Sequence, residues 1–141
     1  MICFFDTNVL IYAVDPGDPA KQERALNLYA QSVRDRTFVI STQILVEFYS
    51  VATKGERPLL DRSQARRQVT ALARQRVVAT TAKLVVEAFA RTERDQMHWF
   101  DALLVEAALS IGATTLYSED FQHGRRLGNM TLINPFVSES V

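Results

Sequence analysis

The chain has 141 residues, 48% hydrophobic and 23% charged, with 16 basic and 16 acidic side chains and a formal net charge of zero. This is the composition of one globular domain with room for a real core. It excludes a chain-wide attraction for polyanions, and no apolar run approaches the ~20 residues of a membrane helix.

Ile2–Phe5 is a short, wholly apolar run and predicts a buried strand. It leads straight into Asp6, with no charged region ahead of a long apolar one, so no secretory signal is expected. Cys3, the only cysteine, has no partner for an internal disulfide and points to a reducing, cytoplasmic setting. Asn8–Val14 predicts a short helix or turn, stopped by Asp15-Pro16-Gly17-Asp18-Pro19. Asp18 suits an N-cap and Pro19 the first position of a helix running to about Val33, with Ala25, Leu28, Tyr29 and Ser32 on its inner stripe. Phe38-Val39-Ile40 reads as a second strand, followed by a helix capped by Ser41 or Thr42 and ending near Lys54.

After the Gly55–Pro58 loop, Asp61 or Ser63 starts a helix to about Arg76. Val77-Val78-Ala79 predicts a third strand, and Thr80 or Thr81 caps a helix through about Thr92. Phe100–Ile111 is the next helix, with Gly112 as its stop. Thr114–Tyr117 is a fourth strand, Gln122–Asn129 a polar loop, and Thr131-Leu132-Ile133 a fifth strand. Strands alternating with helices predict an α/β fold with a parallel sheet covered on both faces, spanning 1–141 as a single domain.

Four acids stand where acids are awkward. Asp6 ends the first strand, Glu47 interrupts the apolar run Ile44–Tyr49, Asp101 opens a helix, and Asp120 follows the fourth strand. An ionised carboxylate near a core is costly unless it is paired or holds a metal. In open α/β sheets ligands bind beyond the carboxyl ends of strands, where Asp6 and Asp120 are expected. Each acid also has an ordinary reading: an N-cap for Asp6, a dipole partner for Asp101, a turn residue for Asp120 and an unusual helix residue beside Gln43 for Glu47. Together they point to an all-oxygen site for Mg²⁺ or Mn²⁺ and to phosphodiester hydrolysis. Zinc is disfavoured, because His98 and His123 are far apart in sequence and Cys3 is alone. There is no P-loop, no Asp-x-Asp and no Gly-x-Ser-x-Gly.

Thirteen of the 16 basic residues are arginine. Arg62 and Arg66, within a run from Arg57 to Arg76, and the pair Arg125-Arg126 are candidate phosphate contacts, with a solvated helix face as the alternative. Trp99 is a candidate for stacking on an unpaired base or for core packing.

Asp6-Thr7-Asn8 after the first strand, Gln43-Ile44-Leu45-Val46-Glu47, Asp101-Ala102-Leu103-Leu104 and Ser118-Glu119-Asp120-Phe121, in that order, resemble a PIN-domain nuclease of the VapC toxin type. The resemblance covers essentially the whole chain. It implies a three-layer α/β/α sandwich with a five-stranded parallel sheet and Mg²⁺- or Mn²⁺-dependent endoribonuclease activity leaving 5′-phosphate ends. Asp6, Glu47, Asp101 and Asp120 would be the acidic quartet, with Asp6 and Asp101 as direct metal ligands and Glu47 and Asp120 binding directly or through water. Thr7, Asn8 and Ser118 would support them, with Glu119 as an extra acid. The expected partners are an RNA substrate, a cognate antitoxin protein and a second copy of the chain, with no membrane. PIN domains of RNA processing without a toxin role, non-catalytic PIN modules and a small-phosphomonoester phosphatase are the competing readings.

Overall fold

Three apolar residues, Cys3–Phe5, form β1 at the middle of the sheet in a computed structural model that describes residues 1–137. Residues 138–141 of the expected domain lie outside the described residues. The remaining elements are α1 (Thr7–Tyr12), α2 (Pro19–Arg34), β2 (Phe38–Ser41), α3 (Thr42–Ala52), α4 (Arg62–Ala73), β3 (Arg76–Val78), α5 (Ala82–Asp95), α6 (Trp99–Ser110), β4 (Thr115–Tyr117), β5 (Arg126–Leu127) and β6 (Met130–Ile133). The sheet order is β3-β2-β1-β4-β6-β5. All neighbours run parallel except β5 and β6.

The helix starts follow their caps. Asp18 accepts from the Lys21 N–H with Pro19 at the first helical turn, and Thr81 accepts from the Leu84 N–H. Asp61 and Gln64 exchange bonds in a capping box. Ser41 precedes α3 without a side-chain cap bond. At the other end of α6, Gly112 takes a φ of +72°, a conformation open to glycine at no steric cost. Ala25, Leu28 and Ser32 are the buried stripe of α2.

The α/β architecture is as expected, but the sheet has six strands rather than five. Arg126–Leu127, expected inside a polar loop, pairs antiparallel with Met130–Thr131. Gly128, at φ +59°, opens the two-residue link between them, which is the turn chemistry of a tight hairpin. Two residues, one of them an exposed arginine, give no apolar run to read.

β1 is buried completely, and its neighbours β2 and β4 supply Val39, Ile40 and Leu116 to the same core. Phe5 packs against Phe38 and Tyr117, with ring centroids 4.8 and 5.2 Å apart. On the far side, Arg91 of α5 bonds Glu106 of α6 and, at 2.7 Å, Asp95 of its own helix. That clamp fixes α6 against α5. Among the described residues no helix is long and apolar enough to cross a membrane.

The chain leaves β1 toward β2 and β3 on one side, and later returns to β4 on the other. The reversal lies between β1 and β4, and ligand crevices form at such points, beyond the carboxyl ends of the strands. Leu116, wholly buried on β4 between β1 and β6, tests this framework. Leu116→Ala should cost about 2–5 kcal/mol in urea denaturation; a loss well under about 1 kcal/mol would contradict a central β4.

Candidate active site

Asp6 follows β1 directly, and its backbone N–H still belongs to the sheet, donating to the Tyr117 carbonyl at 2.9 Å. Its side chain caps α1, with Oδ1 accepting from the Thr7 N–H at 2.7 Å. Oδ2 accepts from Ser118 Oγ at 2.7 Å and from Asn8 Nδ2 at 3.4 Å. The N-cap reading and the site reading of Asp6 therefore describe the same carboxylate, which is 6% exposed.

The network continues in both directions. Asn8 Nδ2 donates to Asp120 Oδ2 at 3.0 Å, and the Asp120 N–H donates to Ser118 Oγ at 3.1 Å. On the other flank Thr7 Oγ1 donates to Glu47 Oε2 at 2.7 Å. Gln43, one helical turn before Glu47 on α3, holds the second oxygen: its Nε2 donates to Glu47 Oε1 at 2.9 Å and to the Phe100 carbonyl at 3.3 Å. Phe100 is followed by Asp101 in the first turn of α6. Residues from β1, α1, α3, α6 and the end of β4 thus meet at one place.

Burial pushes the Asp6 carboxyl up to about 7. The Ser118 and Thr7 bonds pull it down, and the Asp120 and Glu47 charges push it further up. Asp101 is half-buried and is also raised, first by burial and then by Asp120 and Glu47, with His98 opposing. The acids feel one another although, among the described residues, no hydrogen bond reaches the Asp101 carboxylate.

The donor set matches a hard cation in chemistry, since every side-chain group is an oxygen or an amide. Gln43 Oε1, beside Glu47, and Ser41 Oγ, at the end of β2, are buried oxygens without a hydrogen-bond partner. Among the described residues, however, no three Asp, Glu, His or Cys side chains are grouped closely enough to hold one ion. A cation seated here would fill part of its shell with water, which is the habit of Mg²⁺.

Other expected site residues stand differently. Glu119 is engaged elsewhere: Tyr12 donates to it at 2.7 Å and Lys21 pairs with it at 3.1 Å. Lys21 also lies 4.5 Å from the centre of the Tyr12 ring, and the Glu119 N–H donates to Asn8 Oδ1 at 3.4 Å. This latch fastens the start of α2 to the segment carrying Ser118 and Asp120. Arg62 and Arg66 are exposed on α4, and Arg126 is exposed on β5. Arg125 is half-buried and donates to the Asp95 carbonyl at 3.4 Å. None of the four arginines bonds to the acids among the described residues. Tyr12 and Lys21 were not expected at the site, and Gln43 was expected beside Glu47 but without a role.

The PIN domain family profile matches residues 3–126. No curated protein matches the chain significantly in sequence. Among solved structures, VapBC2 of Rickettsia felis bound to a DNA fragment from its promoter aligns with a TM-score of 0.66 at 21% identity, covering 94% of this chain and 97% of that one. VapC20 of Mycobacterium tuberculosis, a sarcin–ricin loop cleaving toxin, aligns with a TM-score of 0.66 at 22% identity, covering 84% and 89%. A toxin–antitoxin complex from Klebsiella pneumoniae aligns with a TM-score of 0.67 at 18% identity, covering 95% and 98%. At these identities the likeness is one of fold.

The raised Asp6 carboxyl has a thermodynamic consequence. Without cations it should titrate near pH 7 by carboxyl NMR, as burial dictates. The folded state holds a proton that the unfolded chain releases near pH ~4, so this group's contribution to stability falls as pH rises from about 4 through about 7. Asp6→Asn should therefore raise the melting temperature of the cation-free protein at about pH 8, with the gain shrinking toward about pH 5. A pH-independent gain would contradict this.

Proposed function

The chain belongs to the PIN-domain family, and from that premise we propose that residues 1–141 form a single nuclease domain. It hydrolyses RNA phosphodiester bonds as an endoribonuclease with Mg²⁺ or Mn²⁺, and acts in the cytoplasm as the toxin of a toxin–antitoxin pair. The observation that carries the nuclease reading is the unbroken hydrogen-bonded path from Glu47 through Thr7 to Asp6, and from Asp6 through Ser118 and Asn8 to Asp120. The toxin reading is supported by the likeness in fold to the VapC and VapBC structures.

Asp6 and Asp101 would hold the cation directly, with Glu47 and Asp120 doing so directly or through water. When bound, the cation supplies a Lewis acid for the phosphodiester oxygens and a water of lowered pKa. The protein's own part is preorganisation. Each Asp6 oxygen has two lone pairs, and the Thr7 N–H takes one on Oδ1 while leaving the other for an electrophile. Thr7 and Gln43 fix both oxygens of Glu47, and Asn8 sets the rotamer of Asp120. Side chains held this way need little rearrangement when substrate arrives.

An apolar trough between α3 and α4, lined by Leu45, Val46, Tyr49, Arg66, Val69 and Thr70, is the candidate seat for the antitoxin. Val46 is 67% exposed there, a cost in water that a partner's apolar face would remove. Phe48 of the same helix is buried in the core and offers nothing to that surface. A homodimer completes the proposed assembly.

Mapping the 5′ ends of cellular RNAs after brief induction tests this function. The parent chain should create new 5′-phosphate ends and slow growth, while Asp6→Asn and Asp101→Asn fold normally and lose more than ~100-fold of the cleavage. Purified protein should be silent in EDTA and recover with Mg²⁺ or Mn²⁺. Cleavage that persists in EDTA, or that both variants retain, would reject the mechanism; cleavage without slowed growth would reject the toxin role alone.

A further inference from the structure

We propose that Phe100, backed by His98, is a stacking platform for one unpaired base of the RNA beside the scissile phosphate. This rests on the nuclease reading above and names a substrate feature that reading leaves open. Phe100 stands in the first turn of α6 and is 56% exposed, a large apolar ring kept in water immediately before Asp101. One side of it stacks with His98, with ring centroids 5.7 Å apart and planes 23° from parallel.

Both rings are held by the backbone at the start of α6. His98 is the N-cap, and its Nδ1 accepts from the Phe100 N–H at 3.3 Å. That bond makes Nε2 the protonated nitrogen of the neutral ring. The Phe100 carbonyl accepts from Gln43 Nε2, the same amide that holds Glu47. Asp101 follows Phe100 directly in the same turn. The stacked pair is therefore tied by short links to two of the four acids, at the rim of the site.

Trp99, a candidate for base stacking or for core packing, is engaged within the protein. It is half-buried and stacks on Phe89, with centroids 4.4 Å apart and planes 28° from parallel. Its neighbour Phe100 carries the accessible face instead.

The chemistry of the site favours a base as the occupant. Four carboxylates repel an RNA backbone except where a cation intervenes, and no arginine bonds to them among the described residues. A hold that does not depend on charge is what such a rim lacks. Every base offers a π-face, and stacking on an aromatic side chain tolerates any sequence. A stable protein partner would bury about 800 Å² of this face, whereas His98, stacked on the ring, and Asp101, next to it in the chain, are both polar.

The test measures binding of a short, fluorescein-labelled single-stranded RNA by anisotropy, in Ca²⁺ to suppress cleavage, alongside cleavage in Mg²⁺. Phe100→Leu keeps bulk and apolarity and removes the π-face; it should weaken binding about tenfold, as loss of one base–aromatic stack does, with an unchanged melting temperature. Phe100→Trp should bind as tightly as the parent. A single abasic position, walked along the probe, should cost the parent about the same at one site and cost Phe100→Leu nothing there. Equal binding by parent and Phe100→Leu, or an abasic penalty that survives in Phe100→Leu, would overturn the platform while parental cleavage leaves the nuclease reading standing. A change in self-association with RNA affinity intact would overturn it in favour of a protein interface. A parent that neither binds nor cleaves RNA would overturn both.

Discussion

The structure turns on one buried carboxylate at the end of a buried strand. Asp6 is placed by β1, whose three residues have no exposed face, so its side chain cannot escape to solvent without unmaking the centre of the sheet. Desolvation and the charges of Asp120 and Glu47 both oppose its ionisation. Ser118 and the Thr7 N–H offset part of that cost without removing it. A positive charge would offset this imbalance, and the surrounding oxygens are of the kind that a hard cation accepts.

The fold brings the rest of the site to that point economically. The crossover that separates β1 from β4 puts the ends of both strands side by side, so Asp6 and Ser118 meet although 112 positions separate them. α3 brings Glu47 from the neighbouring strand, and the Arg91 clamp seats α6 and with it Asp101. Each carboxylate with a visible partner is oriented by a neutral donor rather than by a cation, which leaves the negative charge of the cluster unspent. Glu119 is the contrast: Lys21 neutralises it, and its work is to fasten a segment.

The place of Asp6 was legible, because an acid closing a wholly apolar strand reads as a helix cap or a site residue and here is a cap within the cluster, and Glu47 stood out as a charge inside the apolar run Ile44–Tyr49. The support from Gln43 was half visible, since four-residue spacing puts it on the same helix face. Lys21 and Tyr12 left no local trace, because their partner Glu119 lies 98 and 107 positions away. β5 escaped for a different reason: two residues paired through a glycine turn carry no periodicity. The basic pair Arg125-Arg126 read as one phosphate-binding feature, but Arg125, just before β5, is half-buried and donates to the Asp95 carbonyl, while Arg126 is exposed on β5.

On the proposed reading these hydrogen-bonded oxygens would seat a divalent cation, and calorimetric titration of Mn²⁺ or Mg²⁺ near neutral pH tests it most directly. Repeated in buffers of different ionisation enthalpy, it counts protons as well as ions. The account predicts saturable binding that expels a proton from Asp6, with both the binding and the proton release lost in Asp6→Asn. Absence of binding, or binding that releases no proton and survives unchanged in Asp6→Asn, would contradict it.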